Sequence, residues 1–231
     1  MPEGNARSLA HIQLLQDLNA TEIERLEQAC SWKSYAAHEQ IIDRQSDTQD
    51  VYFVAGGTAR VVIYSLSGRE ITLDDVEAGG HFGDLSAIDG EPRSASVMAL
   101  KDTVIASLSH ERFHQLLSEH FDVTLRLMRA LTRIVRTSTD RIMDLSTLAA
   151  NNRVQADLLR LARNSMVGEN RAELTPIPVH GDIASRVSTT RETVARVLSD
   201  LSRQGVVERQ KDRLVIDDVD HLEDMVEEVR G

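Results

Sequence analysis

The chain has 231 residues, 41% of them hydrophobic and 27% charged, with a formal net charge of -11. That length supports one large domain or two modest ones, each with a core of its own. Cys30 is the only cysteine, which excludes an intramolecular disulfide and a cysteine-only metal site. Nothing resembles a signal peptide or an unbroken apolar run near 20 residues, so a soluble, cytoplasmic protein without a membrane partner is expected. Acidity of this size argues against nucleic acid as a partner. Its distribution weakens the objection: seven acidic residues lie from Asp217 to Glu228, against Arg230 alone, so a basic face can exist elsewhere.

Residues 1–8 are polar and expected to be loose. Leu9 to Leu15 reads as a short helix, and Ala20 to Cys30 as another, opened by Thr21 with Glu24 three residues on as a capping box. Short β-branched runs follow: Ile41-Ile42, Val51 to Ala55, Thr58 to Ser65, Ile71 to Val76, Ser94 to Leu100 and Thr103 to Leu108. Turn signals separate them at Gly56-Gly57, Ser67-Gly68, Gly79-Gly80 and Lys101-Asp102. Strands at this spacing predict a compact antiparallel barrel or roll, filled mainly by Val, Ile and Leu because aromatics are few.

Inside that region, His81 to Val97 reads as a glycine turn, a short helix over Asp84 to Asp89, a second turn and the start of a strand. Gly83 lets backbone approach a ligand closely, and the first N–H groups of a helix, here around Leu85, attract anions. Ten residues after Gly83 comes Arg93, a fixed-charge fork suited to two phosphate oxygens, with the Ser94 hydroxyl beside it. With the Asp84 carboxylate, the segment offers what a phosphate joined to a ribose needs. A Gly-Asp turn and an Arg-Ser pair also occur in β proteins with no ligand, so residue types alone leave both readings open.

Helical spacing resumes at Ser109, breaks near Ser118 to His120, and then runs without Gly or Pro from Phe121 to Ala149. A helix of that length spans about 40 Å. Leu127, Leu131, Ile134, Ser138, Arg141, Leu145 and Leu148 alternate steps of four and three, the seam of a coiled coil, so pairing with a second copy is expected over packing on its own domain. The apolar stripe lapses at Ser138 beside Thr139, where hydroxyls are either merely tolerated or meet something polar.

Asn151-Asn152 interrupts the long helix, and Arg153 to Arg163 begins another. A loop and a short strand are expected over Asn164 to Val179. Asp182 can cap a short helix carrying Ile183, Ala184 and Val187; Ser188 or Thr189 can cap a second carrying Val194, Val197, Leu198 and Leu201. Two such helices joined by a few polar residues form a helix-turn-helix pattern. On the second, Arg191, Glu192, Arg196 and Arg203 stay clear of the apolar stripe. Arginine there can grip guanine O6 and N7 and glutamate can accept from cytosine N4, although a solvated face has the same composition. Val206 to Arg209 and Arg213 to Ile216 form a hairpin, or wing.

Phe82-Gly83-Asp84-Leu85-Ser86-Ala87-Ile88-Asp89-Gly90-Glu91-Pro92-Arg93-Ser94-Ala95 resembles the phosphate-binding cassette of cyclic-nucleotide-binding domains, and Tyr52 to Val61 is similar to the hairpin that precedes it. Asp84 stands where that family usually has glutamate, one methylene longer. Thr190-Arg191-Glu192-Thr193-Val194-Ala195-Arg196 resembles the recognition helix of the catabolite activator, or Crp/Fnr, family of bacterial transcription regulators. The resemblance runs from about residue 10 to about residue 222. It implies an α+β fold: an N-terminal antiparallel, jelly-roll-like β-roll (1–118), a long dimerisation helix (119–150) and a C-terminal winged helix-turn-helix (151–231).

The implied ligand is cyclic AMP, with cyclic GMP the alternative. It would be held by Gly83, Asp84, Leu85, Arg93 and Ser94, and Ser138 and Thr139 fall on the family's two base-contacting hydroxyl positions in reversed order. Ser188, Thr190, Arg191, Glu192, Thr193 and Arg196 are the implied DNA contacts. The implied function is a homodimeric, allosteric regulator of a near-palindromic site with TGTGA-like half-sites, with RNA polymerase as a further partner. A nucleotide-binding adaptor acting on a protein is the alternative, and it would have no use for the helix-turn-helix. No metal, haem or iron–sulfur centre is expected, since one cysteine cannot hold a cluster and the eight histidines lack ligand spacing. No nucleophile accompanies Arg93 and Asp84, so the chain is not expected to be an enzyme.

Overall fold

The computed structural model describes residues 7–66, 68 and 70–229. Residues 1–6 of the segment 1–8 expected to be loose, Ser67 of the expected Ser67-Gly68 turn, and Arg230 of the tail lie outside the described residues. Contacts divide the chain into two units, Met1–Arg133 and Ile134–Gly231, with the boundary inside one long helix. Among the described residues no helix is long and apolar enough to cross a membrane.

The first unit opens with a single 3-10 turn, Gln13–Leu15, where a helix over Leu9 to Leu15 was expected. Leu9, Ile12, Leu14 and Leu15 are all buried, so their apolar run reflects burial on every side rather than one helical face. Helix α1 (Ala20–Ala29) begins at the expected Ala20, but its capping box opens at Asn19, two residues before the expected Thr21. Asn19 Oδ1 accepts from the Glu22 N–H at 3.0 Å and Glu22 Oε2 accepts from the Asn19 N–H at 2.8 Å. Asparagine is at least as good an N-cap as threonine, and it comes first in the chain.

Eight strands then form two antiparallel sheets. β1 (Ser31–Tyr35), β8 (Thr103–Leu108), β3 (Val51–Gly56) and β6 (His81–Phe82) make one. β2 (Gln40–Ile42), β7 (Ser96–Ala99), β4 (Thr58–Tyr64) and β5 (Glu70–Glu77) make the other. Every pairing is antiparallel, and the longest, β4 with β5, carries a bulge at Val61/Val62. β1 was not anticipated, because it is an edge strand whose residues are mostly exposed and show no apolar alternation. Val54, Ala59, Phe82, Val97, Ala99 and Ile105 pack inside the roll. A second cluster joins Phe53 and Leu108 to the helical elements through Leu15, Phe113, Val123 and Leu127. Helix α2 (Asp84–Asp89) lies between β6 and β7 in the chain, as expected.

Helix α3 (His110–Glu119) is capped by Ser109, and α4 (Phe121–Thr147) follows. α4 stops before the expected Ala149, and α5 (Ala150–Arg163) takes Asn151-Asn152 into its own first turn. The break is at Leu148-Ala149, where Ala149 is extended (φ -63°, ψ 157°). No breaker residue marks it. Arg153 Nη1 instead donates to the Leu148 carbonyl at 2.9 Å and satisfies the end of α4 from the next helix.

In the second unit, β9 (Ala172–Leu174) pairs with the wing strand β11 (Leu214–Ile216), which pairs in turn with β10 (Val207–Arg209). α5, α6 (His180–Arg186), α7 (Arg191–Arg203) and α8 (Val219–Glu228) pack around Val154, Leu158, Ile183, Val194, Val197, Leu201 and Leu222. α6 starts after Val179 with no side-chain cap, and Asp182 sits in its first turn instead of capping it. α7 is capped by Thr190, not Ser188 or Thr189, because Ser188 is committed to the turn at φ 53°. Beneath the two helices, Arg186 grips the buried Asp157 with Nε and Nη2 at 3.0 and 2.9 Å, and Arg160 joins Asp157 to Asp144 of α4. The acidic tail forms most of α8.

Candidate functional site

Between β6 and β7 the chain turns through Gly83, at φ 85°, into α2, which receives no side-chain cap. The glycine is required twice over. Its φ is one that L side chains rarely adopt, and a Cβ would lie 2.8 Å from Arg93 Nη1 and 2.9 Å from the Asp50 carbonyl oxygen. The approach fastens the guanidinium, which is 3% exposed. Nη1 donates to the Gly83 carbonyl at 2.9 Å, Nη2 to the Asp50 carbonyl at 2.7 Å, and Nε to Thr48 Oγ1 at 3.0 Å. Tyr52 lies under it, ring centroid 5.4 Å from Cζ, and stacks on Phe82 at 5.2 Å.

Arg93 differs from Arg60, the other buried arginine among the described residues, in what holds it. Arg60 is clamped by both Asp75 oxygens at 2.7 Å. Arg93 donates to two carbonyls and the Thr48 hydroxyl, with the Tyr52 hydroxyl also interacting with it, and none of these is a carboxylate. They fix its orientation without neutralising it. Burial lowers the Arg93 pKa, opposed by Tyr52, Asp50 and Asp84, and an arginine keeps its charge under such pressure. A preoriented buried cation without a carboxylate clamp is a site for an anion.

Asp84, in the first turn of α2, is buried with its Oδ2 4.0 Å from His81 Nε2. Burial lowers the His81 pKa; Asp84 pulls it up and Arg133 pushes it down. Near pH 7 the imidazole is therefore neutral, and the cation whose field reaches Asp84 is Arg93. Leu85 and Ser94 are both exposed at the cassette surface. Gly83, Asp84, Leu85, Arg93 and Ser94 thus come together around one turn. Thr48, Asp50, Tyr52 and His81 belong with them and were not singled out. The sign available was the Tyr52-Phe53 hairpin, one residue of which faces each side of its sheet.

The second group of candidate residues lies on α6, the turn and α7. Val194, Val197 and Leu201 turn one face of α7 to the core, leaving Arg191, Glu192, Ala195 and Arg196 exposed. Thr190 Oγ1 accepts from the Thr193 N–H at 3.3 Å and lies 3.2 Å from Thr193 Oγ1, so both hydroxyls already serve the cap. Hydrogen bonds from its own backbone and Thr190, with Arg191 nearby, lower the Glu192 pKa and keep it a carboxylate. The Ser188 carbonyl accepts from Arg153 Nη2 at 3.2 Å. Ser138 and Thr139 are exposed on α4 in the second unit, and Thr139 Oγ1 donates to the Val135 carbonyl at 3.0 Å. Met128, Ile134, Val135, Ile142, Met143 and Leu145 are exposed along the same helix.

An anion-ready turn in a β-roll and a helix-turn-helix with a wing define a ligand-responsive DNA-binding protein. Residues 32–120 match the cyclic nucleotide-binding domain family, and residues 152–225 the Crp-like helix-turn-helix domain. The cyclic AMP receptor protein of Thermus thermophilus is 36% identical over 159 residues, covering 69% of this chain and 71% of that protein. The cAMP-activated global transcriptional regulator CRP of Salmonella typhimurium is 24% identical over 188 residues, 81% of this chain and 90% of that one. A solved structure of CooA from Carboxydothermus hydrogenoformans shares the fold, at 20% identity with a TM-score of 0.80, covering 96% of this chain and 99% of that chain. The chain belongs to the Crp/Fnr family of transcription regulators. It is a cyclic-nucleotide-binding, DNA-binding regulator and not an enzyme.

Proposed function

We propose that the protein is a cytoplasmic homodimer whose affinity for a near-palindromic operator is set by a cyclic nucleotide, cyclic AMP first and cyclic GMP as the alternative. The observation that carries the ligand assignment is Arg93, buried and oriented by the Gly83 and Asp50 carbonyls and Thr48, with no carboxylate clamp among the described residues. It would hold the cyclic phosphate with Ser94 and the backbone N–H groups near Leu85. Asp84 would accept from the ribose 2′-hydroxyl, and the family resemblance assigns Ser138 and Thr139 to the base.

Of the expected seam, Leu127 and Leu148 are buried in the cores of their own units, while Ile134 and Leu145 are exposed. With Met128, Val135 and Ile142, which recur every seven residues beside them, the exposed two support pairing of two copies. Two recognition helices in a dimer fit successive major grooves about 34 Å apart. Arg191, Glu192 and Arg196 would read base edges within a TGTGA-like half-site, and Ser188, Thr190 and Thr193 would lie at the DNA backbone. A ligand that binds one arrangement of the dimer better than the other shifts the population toward it, and operator affinity follows. RNA polymerase would meet the loop at 165–173.

An adaptor that presents nucleotide to a protein partner would not need α6 and α7. The test is calorimetric titration with cyclic AMP and cyclic GMP, followed by operator binding in each state at one stated salt concentration. Submicromolar binding of one nucleotide with a tighter operator complex is the expected result. Nucleotide binding without any sequence-specific DNA complex would favour the adaptor.

A further inference from the structure

Gly181 stands at the second position of α6, inside regular helix, where alanine is the better helix former. It does not appear among the positive-φ glycines, so the backbone there does not call for glycine. What would crowd a side chain there is Arg191. The three atoms nearest an ideal Cβ on Gly181 all belong to its guanidinium: Nε at 3.0 Å, Nη2 at 3.1 Å and Cζ at 3.3 Å. The first residue of the recognition helix therefore lays its charged head against the bare backbone of the helix before it.

We propose that Gly181 is a positioning residue for Arg191 and a determinant of DNA specificity. A free arginine samples many rotamers and loses that freedom on binding. Resting on Gly181 narrows the arc of this one before DNA arrives and sets how far along the groove its fork reaches. A methyl group at 181 is tighter against the guanidinium than ordinary contact and pushes it off by a few tenths of an ångström. Because the displaced atoms are the end of a flexible side chain, the fold tolerates the change and the arginine moves. The inference rests on the reading that Arg191 contacts a base.

The test is a double-mutant cycle in the full-length chain with cyclic AMP present. An operator selected from random DNA, and its single-base-pair variants, are titrated with the parent, Gly181→Ala, Arg191→Ala and the double variant. Arg191→Ala identifies the base pair it reads by losing discrimination there, about 5- to 150-fold for a two-pronged contact to guanine. Gly181→Ala is expected to change discrimination at that base pair by about three- to tenfold, a fraction of the same contact, with thermal stability not lowered. In the Arg191→Ala background the Gly181→Ala effect disappears. Equal effects of Gly181→Ala in both backgrounds, or none in either, overturn the proposal. If Arg191→Ala discriminates like the parent, the base-reading assignment fails and the inference falls with it.

Discussion

Replacing Arg93 with leucine removes the buried cation while roughly keeping the volume. Truncating one partner of a desolvated, hydrogen-bonded charge pair costs about 2–5 kcal/mol. At 1.4 kcal/mol per tenfold, cyclic AMP affinity falls by about 30- to 4,000-fold. The same substitution leaves the Gly83 and Asp50 carbonyls and Thr48 Oγ1 without this donor. Gly83 and Asp50 are half-buried and Thr48 is exposed, so water replaces part of the lost donor. Each acceptor then costs less than a fully buried one, for which the figure is about 1–3 kcal/mol, offset further because a cation no longer has to be buried. The first unit therefore loses some stability but keeps its sheets. Arg93→Lys retains the charge without the planar fork and is expected to fall between parent and leucine variant. Calorimetric titration gives the affinity, and urea unfolding followed by circular dichroism gives the stability. A folded Arg93→Leu protein that binds cyclic AMP within threefold of the parent would refute the phosphate assignment.

Four further expectations follow from the same geometry. His81 has its folded pKa pushed below the ordinary 6.5. Between 6.5 and that lower value the unfolded chain binds a proton the folded chain does not, so stability falls as pH falls through the window. His81→Gln should flatten this part of the unfolding-versus-pH curve; an unchanged slope contradicts it. Val135→Glu with Ile142→Glu, placing charge on the exposed stripe of α4, should shift sedimentation equilibrium from dimer to monomer. Asp157→Ala strands the half-buried Arg186 and should cost the second unit up to about 3–5 kcal/mol by urea titration. Asp157→Leu with Arg186→Met should cost far less, because no unpaired charge remains. Glutamate at position 84 should hold or raise cyclic AMP affinity in calorimetry, its longer reach suiting the ribose hydroxyl.

The antiparallel roll and the helix-turn-helix were legible in the sequence because alternation and turn residues coincide with burial there. Gly83 and Arg93 are ten apart in the chain and touch in the fold. The cassette they belong to was legible through its resemblance to cyclic-nucleotide-binding domains, since its residue types alone left two readings open. Thr48 and Asp50 were not, since backbone carbonyls and a lone hydroxyl carry no pattern that announces a distant guanidinium. The α4–α5 break was placed at Asn151-Asn152 because asparagine is a local signal. Its true position at Leu148-Ala149 depends on Arg153 donating to the Leu148 carbonyl, a tertiary contact. The same holds at α6 and α7, where Asp182, Ser188 and Thr189 were plausible caps by type. The turn conformation of Ser188 and the packing of Ile183 and Val187 decide instead which residue stands at each helix start. Gly181 gave no sign at all, because only the approach of Arg191 explains it.

The central claim is that nucleotide held at Arg93 and DNA held by α7 bias one equilibrium. Such coupling is reciprocal, so the ratio of operator Kd without and with cyclic nucleotide must equal the ratio of nucleotide Kd without and with operator. Both ratios, measured by fluorescence anisotropy and calorimetry in one buffer, are predicted to agree at about 5- to 150-fold, the usual range for allosteric coupling. An operator affinity that stays the same when the nucleotide site is saturated would contradict the account.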